Sequence, residues 1–486
     1  MRIPRRPVVV LMFLLPLVAA YASPAPPLTG LKRVLDAADP HRIDADLRFL
    51  ADDVMEGRGT GQKGGRLAAL YLETRFRLLG LAPGASKDSY LQEVPLVGIE
   101  TDPRTRFAIT GGPRTFEARW LEDYVASAET QKETEEIDAP LVFVGYGITA
   151  PEYGWDDFKG ADVKGKVLVM LVNDPPSDDP ALFGGKALTY YGRWTYKFES
   201  AARAGAAGAI LIHTDESAGY GWSVVRNSWG RERPYVALAP GGPPALQMAS
   251  WVTESFGRDF LKAAGQDFDV LRRTAATREF RPVPLSLRAQ ATMVTKIRPI
   301  MTWNVVGLLR GSEYYATHPI IPTHLTAANI NMDGTPVWGR PADFTFLGAD
   351  RSSLRNVVDE ASRALGFKVV ADQHPEQGSF YRSDQFNFAK VGIPAFSLDP
   401  GLDYVGKPKG YGETIWKEYE EKRYHRPKDE YDPSFDLSGS AESARIALYV
   451  GYRVAQADGI PRWNNGDEFA AARASALAAT STTSGK

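Results

Sequence analysis

The spacing of apolar residues changes along the chain, and these changes mark segments with different predicted secondary structure. Near the start it predicts a helix over residues 44–51 and an amphipathic helix from about Gly64 to Leu79. From Ile137, short β-branched runs mark a second unit, in which a small-residue helix leads into a buried strand over residues 198–212. The apolar face of the amphipathic helix, which we expect to lie on a sheet, is formed by Leu67, Leu70, Tyr71, Phe76 and Leu78.

After Pro284 the pattern alternates between strands and helices. This alternation predicts an α/β fold in which helices cover both faces of a mostly parallel sheet. The predicted helices span residues 352–365 and 442–454, and the predicted strands span residues 305–309, 328–332, 344–347, 367–370 and 395–398.

The first 22 residues fit a signal peptide. Three Arg residues precede an apolar run, and Ala20-Tyr21-Ala22 fits a signal-peptidase site. A membrane anchor is the alternative, although the run is shorter than the roughly 20 residues that span a bilayer. We therefore expect an exported protein, periplasmic or extracellular, with no membrane association after cleavage. The predicted segments are residues 1–22, an N-terminal part at 23–135, a middle unit at 136–285, a C-terminal part at 286–468 and a disordered tail at 469–486.

The net charge and the absence of Cys limit the partners and the kinds of catalytic or metal site that the chain can have. The 57 Lys and Arg residues balance 59 Asp and Glu residues, which leaves a net charge of -2. Without a long-range positive field, we expect no nucleic-acid partner. The chain has no Cys, which excludes disulfides, thiolate nucleophiles and Cys-ligated zinc. Any metal must be held by carboxylates and by the six His residues.

A few polar residues near predicted strands are candidates for chemistry. Asp333 follows a predicted strand at the end where open α/β sheets place their ligands, with a simple Asp-Gly turn as the alternative. His425 follows Tyr424 in a polar loop, where a solvated His is the alternative. Arg382 and Asp384 fit either a clamp for a substrate carboxylate or a local salt bridge.

Several longer segments, in order along the chain, resemble one family. They are LADDVMEGRGTG from Leu50, GYGITAPEYGWDDFKGADVKGKVLVMLVNDPP from Gly145, GKALTYYGRWTYKFESAARAGAAGAILIH from Gly185, GSEYYATHP from Gly311, NINMD from Asn329, GSFYRSDQFNFAKVGIPAFSL from Gly378 and YHRPKDEYD from Tyr424. Together they resemble the secreted di-zinc aminopeptidases with a protease-associated domain, metallopeptidase family twenty-eight. The resemblance implies a truncated zinc-exopeptidase-like fold with an inserted, mainly β protease-associated domain at residues 136–285.

The resemblance also implies a chemistry. The family hydrolyses N-terminal peptide bonds with two zinc ions, a bridging Asp and a Glu base that activates water. By resemblance, Asp333 is a terminal ligand of one zinc and His425 is a ligand of the other. Tyr424 resembles the residue that stabilises the oxyanion, and Arg382 and Asp384 resemble residues that shape the substrate pocket. The implied cofactor is zinc, and the implied partners are peptides or protein N-termini.

One part of the family pattern is missing. In relatives, a His-x-Asp-His segment, an Asp-Asn segment and a Glu-Glu pair precede the GSEYY helix, whereas here only Arg310 separates Leu309 from Gly311. Gln385 stands where RSDHF places His. Since a catalytic zinc takes about three protein ligands, the two retained ligands predict no tight two-zinc site. The gap also removes about two β–α units, which predicts exposed apolar helix faces and unpaired strand edges.

Three interpretations remain open from the sequence. The chain is an exported aminopeptidase homologue with impaired or lost activity, or it is a non-catalytic protein that binds peptides or a partner through the protease-associated domain. In the third interpretation, the gap belongs to the gene model or to a recent deletion, and an intact enzyme exists elsewhere. Glu313, His318 and His324 lie near the junction and are the candidates to replace the lost ligands.

Overall fold

The computed structural model describes residues 28–239, 241–308, 323–424, 426 and 428–478. The predicted signal peptide, Glu313, His318 and His425 lie outside these ranges. Within the described ranges, no helix is long and apolar enough to cross a membrane.

Helices and strands alternate over the described residues. The helices are α1 Leu28–Leu35, α2 Pro40–Ala51, α3 Lys63–Leu78, α4 Trp194–Arg203, α5 Asp215–Ala218, α6 Trp222–Trp229, α7 Glu254–Ala263, α8 Phe268–Ala275, α9 Leu354–Leu365, α10 Gln385–Lys390, α11 Tyr411–Lys422, α12 Ser438–Ala455 and α13 Ala470–Ala478. The strands are β1 Ala82–Pro83, β2 Leu91–Thr101, β3 Arg106–Thr110, β4 Phe116–Glu117, β5 Tyr124–Ser127, β6 Thr134–Phe143, β7 Thr149–Ala150, β8 Trp155–Asp156, β9 Val167–Leu171, β10 Gly208–His213, β11 Arg233–Val236, β12 Met248–Thr253, β13 Val283–Val305, β14 Gly307–Leu308, β15 Asn329–Asn331, β16 Asp343–Leu347, β17 Lys368–Val369 and β18 Ala395–Pro400.

Ten of the described strands form the larger sheet. Its order is β11-β2-β13-β6-β9-β10-β12-β5. In addition, β3 pairs with β13, and β4 pairs with β3. The strands β6, β9, β10 and β12 are parallel, whereas the flanking pairs are antiparallel. The 23-residue strand β13 pairs with β6 along its first half and with β2 along its second half. This one strand therefore joins the two parts of the sheet.

The central strands of this sheet are buried on both faces. In β10, Ile210 and Ile212 belong to one apolar core, while Ala209 and Leu211 belong to the core on the opposite face. Ala201 of α4 packs in the second core, where its small side chain lets the helix lie close to the sheet. Continuous apolar runs are typical of parallel strands that are covered on both sides. The buried strand predicted here from its apolar run is therefore confirmed.

The larger sheet extends beyond both predicted limits of the middle unit. Its strands β2, β3 and β5 come from before residue 136, and β13 continues past residue 285 to Val305. These strands find their hydrogen-bond partners in this sheet, because backbone groups in a buried strand must be paired. The β-rich unit therefore spans residues 91–305, and a protease-associated insertion at 136–285 stays a prediction.

The C-terminal half contains a four-stranded sheet in the order β15-β18-β16-β17. Two of its three strand pairs are parallel, as the predicted mostly parallel sheet requires, whereas β18 runs antiparallel to β16. Phe344 and Phe396 pack with α9 and α12 on one face. Phe386 of α10 belongs to a separate apolar cluster that packs against Leu347. The predicted α/β fold with helices on both faces is therefore confirmed.

The N-terminal helices pack against the C-terminal half. Helices α1 and α2 contact α12, and the Tyr431 hydroxyl donates a hydrogen bond to Asp44 Oδ1 at 2.8 Å. The predicted apolar face of α3 is only partly covered, since Leu70 is 40% exposed and Leu78 is 75% exposed. Among the described strands, β15 is an edge strand that pairs only with β18. These features agree with the exposed helix faces and open edge that the missing β–α units predict.

The expected disordered tail is ordered over its first part. Residues 470–478 form α13, directly after the buried Phe469. The buried Arg473 donates hydrogen bonds to the carbonyl oxygens of Thr323 at 2.8 Å and Thr326 at 3.0 Å. Composition alone predicted disorder, whereas this aromatic anchor and this guanidinium fix the helix against the domain.

Candidate functional site

Asp333 lies two residues beyond the end of β15 and is exposed. The Ser383 hydroxyl donates a hydrogen bond to Asp333 Oδ2 at 2.7 Å, which links the strand end to the loop before α10. The position after a parallel pair of strands is the one expected for a ligand-binding group in an α/β sheet. Asp333 therefore offers one carboxylate oxygen to a ligand while Ser383 orients the other.

Beneath Asp333, the Gln385 side chain is completely buried and forms part of a hydrogen-bond chain. Asn331 Nδ2 donates to Ser383 Oγ and to Gln385 Oε1, both at 2.9 Å. Gln385 Nε2 in turn donates to the carbonyl oxygen of Phe380 at 2.8 Å. Both ends of the Gln385 amide are therefore used inside the protein, and this residue supports the site without facing a ligand.

Arg382 and Asp384 flank this chain and are both exposed. Within the described ranges, no ion pair joins the Arg382 guanidinium to the Asp384 carboxylate, nor does either form an ion pair elsewhere. The alternative of a local salt bridge is therefore not what the structure shows. Arg382 leaves its whole charge available to a ligand.

Tyr424 approaches the same region from the end of α11. Its ring lies edge-on to Tyr419 at a centroid distance of 6.0 Å. Burial raises the pKa of the Tyr424 hydroxyl, and the charge of Glu420 raises it further, while the charge of Arg382 opposes both. The hydroxyl is therefore protonated at neutral pH and is a hydrogen-bond donor. His425, the next predicted residue, lies outside the described residues.

The β-rich unit contacts the C-terminal half beside these residues. The Tyr190 and Phe386 rings lie 4.9 Å apart, and the Leu188 amide donates to the carbonyl oxygen of Pro375 at 3.0 Å. Leu188 would also meet any side chain added at Gly378, whose φ is +59°. This seam therefore fixes the start of α4 against the loop that carries Arg382.

Two further residues reach the site from the β-rich unit, and the sequence did not single them out. Arg193 immediately precedes α4, and burial lowers the pKa of its guanidinium to about 10, with the nearby charge of Arg382 lowering it further. Tyr220 stacks on His213 at 5.9 Å, and the charges of Arg382 and Arg193 act on its hydroxyl. We call the region lined by Arg193, Tyr220, Arg382 and Tyr424 the inter-unit site.

The described residues do not fit a two-zinc centre. Nowhere in the described ranges do three or more His, Asp or Glu residues come together as a metal-binding group. Burial raises the pKa of Asp399 to about 6, and the charge of Asp333 contributes to this rise, which places these two acids near each other. The His374 ring stacks on Trp416 at 4.1 Å, and its Nδ1 lies 3.6 Å from Glu376 Oε1. Asp333 therefore has one acidic neighbour and no described His beside it.

Comparisons with known proteins bear on the C-terminal half. Residues 307–451 match the family model described as Peptidase family M28. This range contains Asp333, Arg382, Asp384, Tyr424 and His425, and the match supports an M28 peptidase-family domain over these residues alone. No curated protein matches the chain. Among solved structures, an aminopeptidase from Aneurinibacillus sp. strain AM-1 aligns with a TM-score of 0.45 at 16% identity, over 87% of this chain and 95% of that chain.

Proposed function

We propose that this chain is an exported aminopeptidase homologue whose hydrolytic activity is lost or strongly impaired, and that its retained function is to bind peptides at the inter-unit site. Export is proposed on the signal-like pattern of residues 1–22. The expected partners are peptides or protein N-termini, which offer charged termini and backbone hydrogen-bonding groups.

The observation that supports the loss of activity is the sequence around and directly after β14. Residues 304–312 read NVVGLLRGS and contain no His, Asp or Glu. A hydrolytic zinc needs about three protein ligands, and the attacking water needs a positioned base. Neither Leu309, Arg310 nor Gly311 supplies a ligand or a base. The M28-type domain therefore retains Asp333 without the partners that the family places after this strand.

The observation that supports peptide binding is the set of polar groups in the inter-unit site and beside it, at Asp333. Arg382 and Asp333 carry opposite charges, and Tyr424 presents a protonated hydroxyl in the same region. A peptide has a cationic amino terminus, an anionic carboxyl terminus and amide groups between them. Groups of both charges around a donor therefore match a peptide better than they match an apolar ligand.

An aminopeptidase assay tests the loss of hydrolysis. The full chain is incubated with a panel of aminoacyl p-nitroanilides, with and without added zinc, beside Asp333→Ala as the matched control. We expect no release of nitroaniline above the blank for either protein. Zinc-dependent release by the unmodified chain that Asp333→Ala abolishes would show an intact active site and overturn the proposal.

A further inference from the structure

We propose that Arg193 and Arg382 together bind a carboxylate group of a peptide across the seam between the two units. This inference rests on the proposed peptide-binding function and specifies which group of the peptide the site recognises. It adds a residue from the β-rich unit, which precedes the residues 307–451 that match the family model.

The packing at the seam brings the two guanidinium groups to one surface. Tyr190 and Phe386 form the contact between the units, with ring centroids 4.9 Å apart. Arg193 lies one turn beyond Tyr190, and its amide donates to the Tyr190 carbonyl oxygen at 3.1 Å. Arg382 lies four residues before Phe386, in the loop that leads into α10. The aromatic contact therefore brings together the segments that carry the two arginines, whose charges lie close enough to act on each other.

Neither guanidinium has a hydrogen-bond or ion-pair partner among the residues that the structure describes. Arg193 Nε is buried without a hydrogen-bond partner, and within the described part of the chain neither arginine side chain forms a hydrogen bond or an ion pair. Arg351 shows the usual arrangement for a buried guanidinium, since it pairs with both Asp467 and Glu468. A buried polar group without a hydrogen-bond partner lowers the stability of the protein. An anion that accepts a hydrogen bond from Arg193 would supply the missing partner.

The charges around the two arginines favour an anionic ligand. Each guanidinium remains protonated at neutral pH, because the lowered pKa of Arg193 is still about 10. Two like charges held close together are mutually unfavourable until a counter-charge lies between them. Glu420 lies near Arg382, but these two side chains form no ion pair among the described contacts. A ligand carboxylate is therefore the missing counter-charge.

A carboxylate suits this pair better than a spherical anion does. A guanidinium presents two parallel N–H donors that match the two oxygens of a carboxylate, so one arginine on each side encloses the group. The Tyr220 and Tyr424 hydroxyls lie close enough to influence each other electrostatically and flank the same region. A peptide supplies a carboxylate either at its C-terminus or on an Asp or Glu side chain, and the test must separate these sources.

Calorimetric titration of the full chain with short peptides tests the proposal. The probes are N-acetyl-trialanine with a free carboxyl terminus, the same peptide with a C-terminal amide, and the amide with a central Glu. We expect the first to bind most tightly if the terminal carboxylate is recognised, and the third if an acidic side chain is recognised. The neutral amide should bind at least tenfold more weakly than the preferred probe.

Arginine variants locate the binding group. Arg193→Met and Arg382→Met should each lower the affinity for the preferred probe at least tenfold, whereas Arg226→Met, which removes an exposed charge from the same β-rich unit, should leave it unchanged. Arg193→Lys should recover part of the affinity and shows that loss in Arg193→Met is not misfolding. Equal binding of all three probes with no effect of either Met variant would overturn the carboxylate site and leave peptide binding intact. Absence of binding by every probe would overturn both proposals.

Discussion

The buried Lys197 offers a sharp test of the packing in the β-rich unit. Its side chain is completely buried, and its Nζ donates to the carbonyl oxygen of Asn173 at 3.0 Å. The carboxylates of Asp157 and Asp174 are also buried and act on its charge. Trp155 Nε1 donates to Asp157 Oδ1 at 2.8 Å. Lys197 is therefore the cation that offsets two acids in this core.

Lys197→Met keeps a similar volume but removes the charge. Lys197 forms no ion pair within 4 Å of either acid among the described residues, so the loss should lie at or below the roughly 3–5 kcal/mol that breaking a buried ion pair costs. Burial already raises the pKa of Asp157 and of Asp174 to about 6, and loss of the lysine raises both further. An acid with a raised pKa in the folded state favours folding when it is protonated. Burial also lowers the pKa of Lys197 to about 7, so the lysine and the two acids are oppositely charged mainly between pH 6 and 7. We therefore expect the largest loss of stability in this range and a smaller loss near pH 5, where the acids are protonated.

Urea unfolding of the full chain, followed by the fluorescence of its ten Trp residues, measures this effect. The control is Lys186→Met, because the ion pair of Lys186 with Asp178 spans 3.6 Å and both side chains are almost fully exposed. A surface pair of this kind contributes about 0–1 kcal/mol. A difference between the two variants of less than about 1 kcal/mol between pH 6 and 7, or an equal loss in Lys197→Met in this range and at pH 5, would show that the lysine does not offset the two acids.

Two further variants test the C-terminal half. Gln385→Leu should lower the free energy of unfolding by about 1–3 kcal/mol, because it leaves the buried Phe380 carbonyl without its donor; thermal unfolding by circular dichroism measures this, and a loss below about 0.5 kcal/mol would contradict it. Arg351→Met should loosen the tail that Asp467 and Glu468 hold, each with an oxygen 2.8 Å from the guanidinium. Limited proteolysis should then cleave near these acids faster, and an unchanged cleavage rate would argue against this anchoring.

Local patterns predicted the individual elements better than their arrangement. The continuous apolar run of β10 identified a buried strand, because only a strand covered on both sides is apolar at every position. The length of β13 was not predictable in the same way, since its two halves are held by different partners, β6 and β2, which are distant in sequence. The helical tail depends likewise on the tertiary contacts of Arg473.

For the site as well, local motifs predicted some residues, whereas tertiary packing alone brings in the others. Asp333, Arg382 and Tyr424 were found because each lies in a segment that resembles a family motif. Arg193 lies in the family-like segment from Gly185, but that segment marked the middle unit and not a site, and Tyr220 lies in none of the quoted segments. Only the seam between the units brings them beside Arg382. A sequence pattern that identifies one half of an inter-unit site therefore does not identify the other half.

The zinc content of the purified, monodisperse chain tests whether the chain has lost the two-zinc centre and with it hydrolysis. Metal occupancy depends on the whole ligand set at once, including Glu313, His318, His324 and His425. After incubation with zinc and removal of free metal, we expect far less than one bound zinc ion per chain, because the family ligands after β14 are missing. About two tightly bound zinc ions per chain would mean that other residues complete the two-metal centre, and would contradict the loss of hydrolysis.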